Sequence, residues 1–126
     1  MDSRLFGYLI NNNILFEING KKLIQYEMGC QKQPFCFKVV VLGETQTRLL
    51  IFFLENRKSG LVDKNAIMEN VWDKFGLSSS SQRLWQTINE LRKTLSYFGI
   101  DDDFIRNVHG SGYVVDKSKV LSLFSR

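Results

Sequence analysis

Between Ser78 and Phe98 the chain sets Leu84, Ile88, Leu91 and Leu95 behind a run of four serines. Residues three and four apart stack on one side of an α-helix, and serine is a preferred N-cap, so the stretch predicts an amphipathic helix over about 81–98. Any fold for this chain has to bury that leucine stripe. At about 100° per residue, Gln82, Gln86, Asn89 and Lys93 fall on the opposite side, with Arg83 and Glu90 on its flank. Amides and forked cations predominate where a merely solvated helix more often carries Glu/Lys pairs. Such groups can make two hydrogen bonds to a base edge in the DNA major groove, while the plain alternative is a solvated face rich in amides.

The elements around this helix follow from period and punctuation. Phe104–Val108 and Tyr113–Val115 are short β-prone runs joined by His109-Gly110-Ser111-Gly112, which predicts a hairpin over 104–115. Residues 44 to 58 read as a first helix, too apolar at Leu49, Leu50, Phe52, Phe53 and Leu54 for one face alone. Arg57 and Lys58 in its last turn complement the helix dipole before Ser59-Gly60 ends it. Leu61-Val62 is a short extended link. Asp63 is the expected N-cap of a second helix over about 64–72, with Ile67, Met68 and Val71 on its core face.

The amino-terminal third reads as β. Leu5–Ile10, Ile14–Ile18 and Lys22–Tyr26 are apolar-rich runs broken by Asn11-Asn12-Asn13 and Asn19-Gly20, and the Asn-Gly pair predicts a hairpin turn with positive φ. Met28–Gln33 reads as loop and Phe35–Leu42 as a further strand after Pro34. The expected organisation is an antiparallel sheet over 1–42, a helical core with its hairpin over 43–116, and a carboxy-terminal tail over 117–126.

Helix, long turn, helix and hairpin are the parts of a winged helix-turn-helix, an α+β fold. Ile88-x-x-Leu91-Arg92-Lys93-x-Leu95, then Phe104-Ile-x-x-Val108, then Gly110-x-Gly112-Tyr113 resembles the OmpR/PhoB-type winged-helix DNA-binding domain. Leu42-x-x-x-Gln46-x-x-Leu49-Leu50 and Ile67-x-x-x-Val71-Trp72 are similar to the same family's first two helices, so the match runs over roughly residues 35 to 116. The version Leu84-x-Gln86-x-Ile88-x-x-Leu91-Arg92-Lys93 resembles the ToxR/CadC-like branch of bacterial regulators, which is usually tethered to the inner membrane.

The resemblance implies sequence-specific binding of double-stranded promoter DNA by a transcription regulator, read as an activator, with sites arranged in tandem for self-association. Arg83, Gln86, Asn89 and Glu90 are the candidates for base edges, Glu90 accepting only from a cytosine amino group. Gln82, Thr87, Arg92, Lys93, Asn107, Ser111 and Tyr113 are the candidates for phosphate contacts that fix register. The resemblance singles out Thr87, Arg92, Asn107 and Tyr113 among these, and it offers Trp72 as an indole donor to a phosphate, against its plain reading as a core aromatic. It places His109 where the family reaches into the minor groove, commonly with Arg; histidine departs from that pattern and makes a weaker or pH-dependent contact the expectation. Trp85 departs too. It lies about 100° from the leucine stripe, so burial against the turn or the wing is expected ahead of contact with a DNA sugar or thymine methyl. The loop over 73–81 meets RNA polymerase in the family, although burial of Phe75 or Leu77 against the core is the simpler expectation.

Composition bounds the alternatives. A formal charge of +4 and a pI near 9.2 permit a polyanionic partner without demanding one. No stretch of about 18 apolar residues is present, so a membrane enters only if the natural chain continues beyond Arg126, and a cytoplasmic location is expected. Cys30 and Cys36 match neither a redox pair nor half of a zinc site and read as reduced thiols, with a disulfide as the alternative. One histidine without a paired nucleophile, no phosphate loop and no ligand cluster argue against an enzyme, and no metal or cofactor is expected. Asp101-Asp102-Asp103 reads as a solvated turn that is kept away from phosphates or repels them. A second function class stays open, a winged-helix module that binds protein and has lost DNA binding. Within 81–113 the cations Arg83, Arg92, Lys93 and Arg106 only equal the anions Glu90, Asp101, Asp102 and Asp103.

Overall fold

The computed structural model describes residues 3–27 and 36–125. Along the chain run β1 (Arg4–Ile10), β2 (Ile14–Glu17), β3 (Lys22–Glu27), β4 (Cys36–Val41), α1 (Glu44–Glu55), β5 (Leu61–Asp63), α2 (Lys64–Val71), α3 (Ser81–Tyr97), β6 (Ile105–Val108), β7 (Gly112–Val115) and β8 (Val120–Ser125). They form two compact units, one of Met1–Gly43 with Lys119–Arg126 and one of Glu44–Ser118. The loop expected over Met28–Gln33 and Cys30 lie outside the described residues, and Cys36 is described in its backbone only.

The first unit is an antiparallel sheet in the order β4-β3-β2-β1-β8. Alternation along the strands buries Tyr8, Ile10, Ile14, Phe16 and Leu23, and Tyr8 stacks on its cross-strand partner Phe16. Two sequence expectations change here. Residues 120–125 are no tail: they pair with β1 from Arg4 to Ile10 and complete the sheet at one edge. The positive-φ turn is made by Asn11 and Asn12 between β1 and β2, whereas the loop around Asn19-Gly20 takes its positive φ at Lys21. Both Asn-rich segments join paired antiparallel strands, so the hairpin expected at Asn19-Gly20 is present between β2 and β3 and only its positive-φ residue differs.

The second unit is built around α3. Leu84, Ile88, Leu91 and Leu95 are buried as the stripe requires, in a core shared with Leu49, Leu50, Phe53 and Leu54 of α1 and Ile67 and Val71 of α2. Ser80 caps α3 by accepting from the Arg83 amide at 3.0 Å, and Asp63 caps α2 by accepting from the Ala66 amide at 3.1 Å. α3 stops at a Schellman-type end. Gly99 takes φ 84°, and the Ile100 amide donates back to the Leu95 carbonyl at 3.0 Å. α1 ends at Glu55, earlier than expected, because a 3-10 turn over Arg57–Ser59 follows it. There Asn56 Nδ2 and Arg57 Nη1 donate to the Phe52 and Leu54 carbonyls at 2.8 and 2.6 Å. Met68 is only half-buried.

The link at Leu61–Asp63 is a strand, giving a three-stranded sheet in the order β5-β7-β6. Its hairpin turns through His109 at φ 41° and Gly110 at φ 74°, with the Ser111 amide donating to the Val108 carbonyl at 2.9 Å. Gly112 has a different reason to be glycine: a Cβ there would collide with the backbone carbonyl of Val62 in β5.

Candidate nucleic-acid interface

On α3, a leucine stripe facing inward forces the amides at positions 82 and 86 outward. Gln82, Arg83, Gln86, Glu90 and Lys93 are exposed and Asn89 is half-buried. β6 runs beside this face, and between them lies a concavity of about 990 Å³ that includes Gln86, Asn89, Glu90, Lys93, Arg106 and Asn107 in its lining. Most of the candidate readers therefore share one surface with a wing strand. Ser111 and His109 are exposed on the hairpin, outside that lining.

Several flanking candidates are committed to other partners. Arg92 is half-buried, and its Nε donates to the Ile105 carbonyl of β6 at 3.1 Å. Its Nη2 donates to the same carbonyl, while Nη1 reaches Asn89 Oδ1 at 3.5 Å. Its guanidinium also lies 5.9 Å from the centre of the Tyr113 ring. The forked cation thus ties α3 to both strands of the wing. Because guanidinium only donates, it fixes the Asn89 amide with its oxygen toward Arg92 and its NH₂ directed elsewhere.

Tyr113 is buried edge-on against Phe53, with ring centroids 5.9 Å apart. Burial pushes its hydroxyl above the ordinary tyrosine range, and the nearby Arg92 charge opposes that shift. Thr87, expected at a phosphate, is buried, and its hydroxyl donates to the Arg83 carbonyl at 2.7 Å. Trp72, the other phosphate donor suggested by resemblance, is 2% exposed and belongs to the core, so its indole is withdrawn from the surface. Glu90 is turned toward α1 by Gln46, whose Nε2 lies 3.2 Å from Glu90 Oε2 and 3.1 Å from the Thr87 carbonyl. Arg83 keeps its helical position but donates from Nη1 to the Ser78 carbonyl at 2.8 Å, bracing the preceding loop.

Trp85 was expected inside, as was one of Phe75 and Leu77, and all three are outside. Trp85 is 60% exposed and lines the concavity, and Phe75 and Leu77 are exposed in the loop before α3. Phe75 finds its partner at the surface, with the Arg48 guanidinium 4.1 Å over its ring, which explains why it need not enter the core. Trp85 stands on the border of the buried stripe, where neighbouring positions on α3 already fill the core. Arg106 is a further member of this surface that the sequence reading left unassigned. The inward turn of Ile105 ahead of it is the strand alternation that could have placed it. Asp102 and Asp103 line the same concavity, so the acidic run is not kept away from it. Three cations, Arg92, Lys93 and Arg106, there face three anions, Glu90, Asp102 and Asp103.

The family described as "Transcriptional regulatory protein, C terminal" matches residues 38–115. A cholera toxin homolog transcriptional activator of Vibrio parahaemolyticus is 27% identical over 106 residues, which cover 84% of this chain and 34% of that relative. The chain thus spans about a third of the length of the curated relative it matches. The solved DNA-binding domain of E. coli CadC superposes with a TM-score of 0.68 at 18% identity, covering 97% of this chain and all of that one. The DNA-binding domain of the response regulator AdeR, solved in complex with an intercistronic region, gives a TM-score of 0.62 at 18% identity, covering 82% of this chain and 94% of its own. Both superpositions report a shared winged-helix fold.

Proposed function

The chain belongs to the transcriptional regulatory protein C-terminal family, whose members are DNA-binding transcription regulators and not enzymes, and from that premise we propose that it binds double-stranded DNA specifically, with α3 in the major groove. The observation that carries this reading is the outward strip of Gln82, Gln86, Asn89 and Lys93 on a helix backed by the core and flanked by a β-hairpin. Amides supply base-edge hydrogen bonds, Lys93 and the wing residues Asn107 and Ser111 supply phosphate contacts, and His109 at the hairpin turn meets the minor groove or the backbone.

The relative's name supports activation over repression. The exposure of Phe75 and Leu77 supports the 73–81 loop as a surface for RNA polymerase, and tandem sites would let copies associate on DNA. Action on promoter DNA places the chain in the cytoplasm. No helix among the described residues is long and apolar enough to cross a membrane.

Counterion release provides the test. Binding to a bacterial promoter duplex should weaken steeply with salt, with a log-log slope of about −0.9 per neutralised phosphate. The equal numbers of cations and anions around the concavity favour a second reading, a protein-binding winged helix. Absence of any binding to duplex DNA at low salt would decide for that second reading.

A further inference from the structure

Trp85 is the one large apolar side chain in the lining of the concavity between α3 and β6; its companions there are amides, charged groups and a serine. Its indole is 60% exposed at the edge of the polar strip, so a large apolar face is presented to whatever enters the concavity. Gln82 lies one turn before it and Asn89 one turn after it on the same helix. Gln86 is its neighbour in sequence and in the concavity. A protein-docking aromatic would be expected within a wider apolar patch, and the concavity offers none.

Resting on the reading that α3 enters the major groove, we propose that Trp85 is a specificity-determining residue that selects thymine by covering its 5-methyl group. Base faces in a duplex are stacked away, so the apolar feature presented on the floor of the major groove is the thymine methyl. Cytosine at the same place presents only C5–H, with its amino group where thymine carries O4, so the indole loses the methyl it would cover. Adenine and guanine present polar edges alone. Three polar groups near it already have partners, Glu90 with Gln46, one Arg83 nitrogen with Ser78, and the Asn89 oxygen with Arg92. Apolar readout therefore carries a larger share of the discrimination than in a strip of free amides and arginines.

The test replaces thymine by uracil, which removes the methyl and leaves every Watson–Crick and major-groove hydrogen-bonding atom in place. A duplex enriched by the wild-type chain from a randomised pool is resynthesised with uracil at each thymine in turn, and wild type, Trp85→Ala and Trp85→Phe are titrated on each duplex. At one thymine the wild type should lose about fourfold in affinity, the value of one buried methyl, while Trp85→Ala loses nothing and Trp85→Phe an intermediate amount. Equal losses for wild type and Trp85→Ala at every position, or tighter binding by Trp85→Ala, would overturn the assignment. Failure of the wild type to enrich any duplex would remove the DNA-binding reading and the assignment together, an outcome distinct from a null methyl effect.

Discussion

The outward strip of α3 and the seam where α3 meets the wing draw on the same residue types and use them in opposite ways. On the strip, Gln82, Gln86 and Lys93 are exposed, and no partner among the described residues holds Gln86. At the seam, Arg92 spends its donors on the Ile105 carbonyl and on Asn89, and Tyr113 is buried against Phe53. Amide and guanidinium chemistry suits DNA, but availability differs. A polar side chain recognises an external partner with the groups that the fold leaves unspent, and the seam fixes the geometry in which those groups are presented.

The contrast breaks most severely at Gly112. A methyl group at that position meets the Val62 backbone, which no rotamer change can relieve, so Gly112→Ala should destabilise the fold by about 3 kcal/mol, read as a loss in chemical denaturation. Gly110→Ala at the turn tip meets open space and would suffer only from its positive φ, at about 1 kcal/mol.

Arg92 and Gln86 separate the two regions directly. Arg92→Ala should cost about 1–2 kcal/mol of stability through loss of charge-assisted bonds to Ile105, discounted for partial exposure, and should weaken specific and random DNA alike. Arg92→Lys should not recover this, since an ammonium lacks the fork that reaches both the carbonyl and the amide. Gln86→Ala should leave stability within about 0.5 kcal/mol and cost about 1–3 kcal/mol on the specific duplex only. Paired denaturation and binding titrations give both quantities; a stability-neutral Arg92→Ala would erase the distinction between strip and seam.

The smallest effect is at Tyr113. Its folded-state pKa lies above that of the unfolded chain, so its neutral form is favoured by folding. The associated stability is fully present below the unfolded value near 10 and is lost as pH rises through the folded value. Denaturation midpoints measured from pH 8 to 11 should fall more steeply for wild type than for Tyr113→Phe, and coincident profiles would mean that the hydroxyl makes no such contribution.

The helices were legible because their signals are local. The leucine stripe, the serine and aspartate caps and the glycine ends each depend on residues within a few positions of one another. Strand β8 was not legible, because Val120–Ser125 pairs with Arg4–Ile10, more than a hundred residues away, and nothing local distinguishes an edge strand from a tail. The hairpin at Asn19-Gly20 was legible, but its positive φ falls at Lys21, a detail that the pairing of β2 with β3 sets and no local signal gives.

The sequence by itself determined helix α3, its buried face, the hairpin beside it and the chemical character of the outward strip. Tertiary structure alone decided which of those polar groups are spent: Arg92 on a carbonyl 13 residues along the chain, Glu90 on an amide 44 residues away, Tyr113 on the core, while Trp85 was left outside. Periodicity records which way a side chain points from its own backbone. A hydrogen bond or a buried ring depends on what another segment brings to within a few ångströms, and that distance is set by the packing of the whole unit.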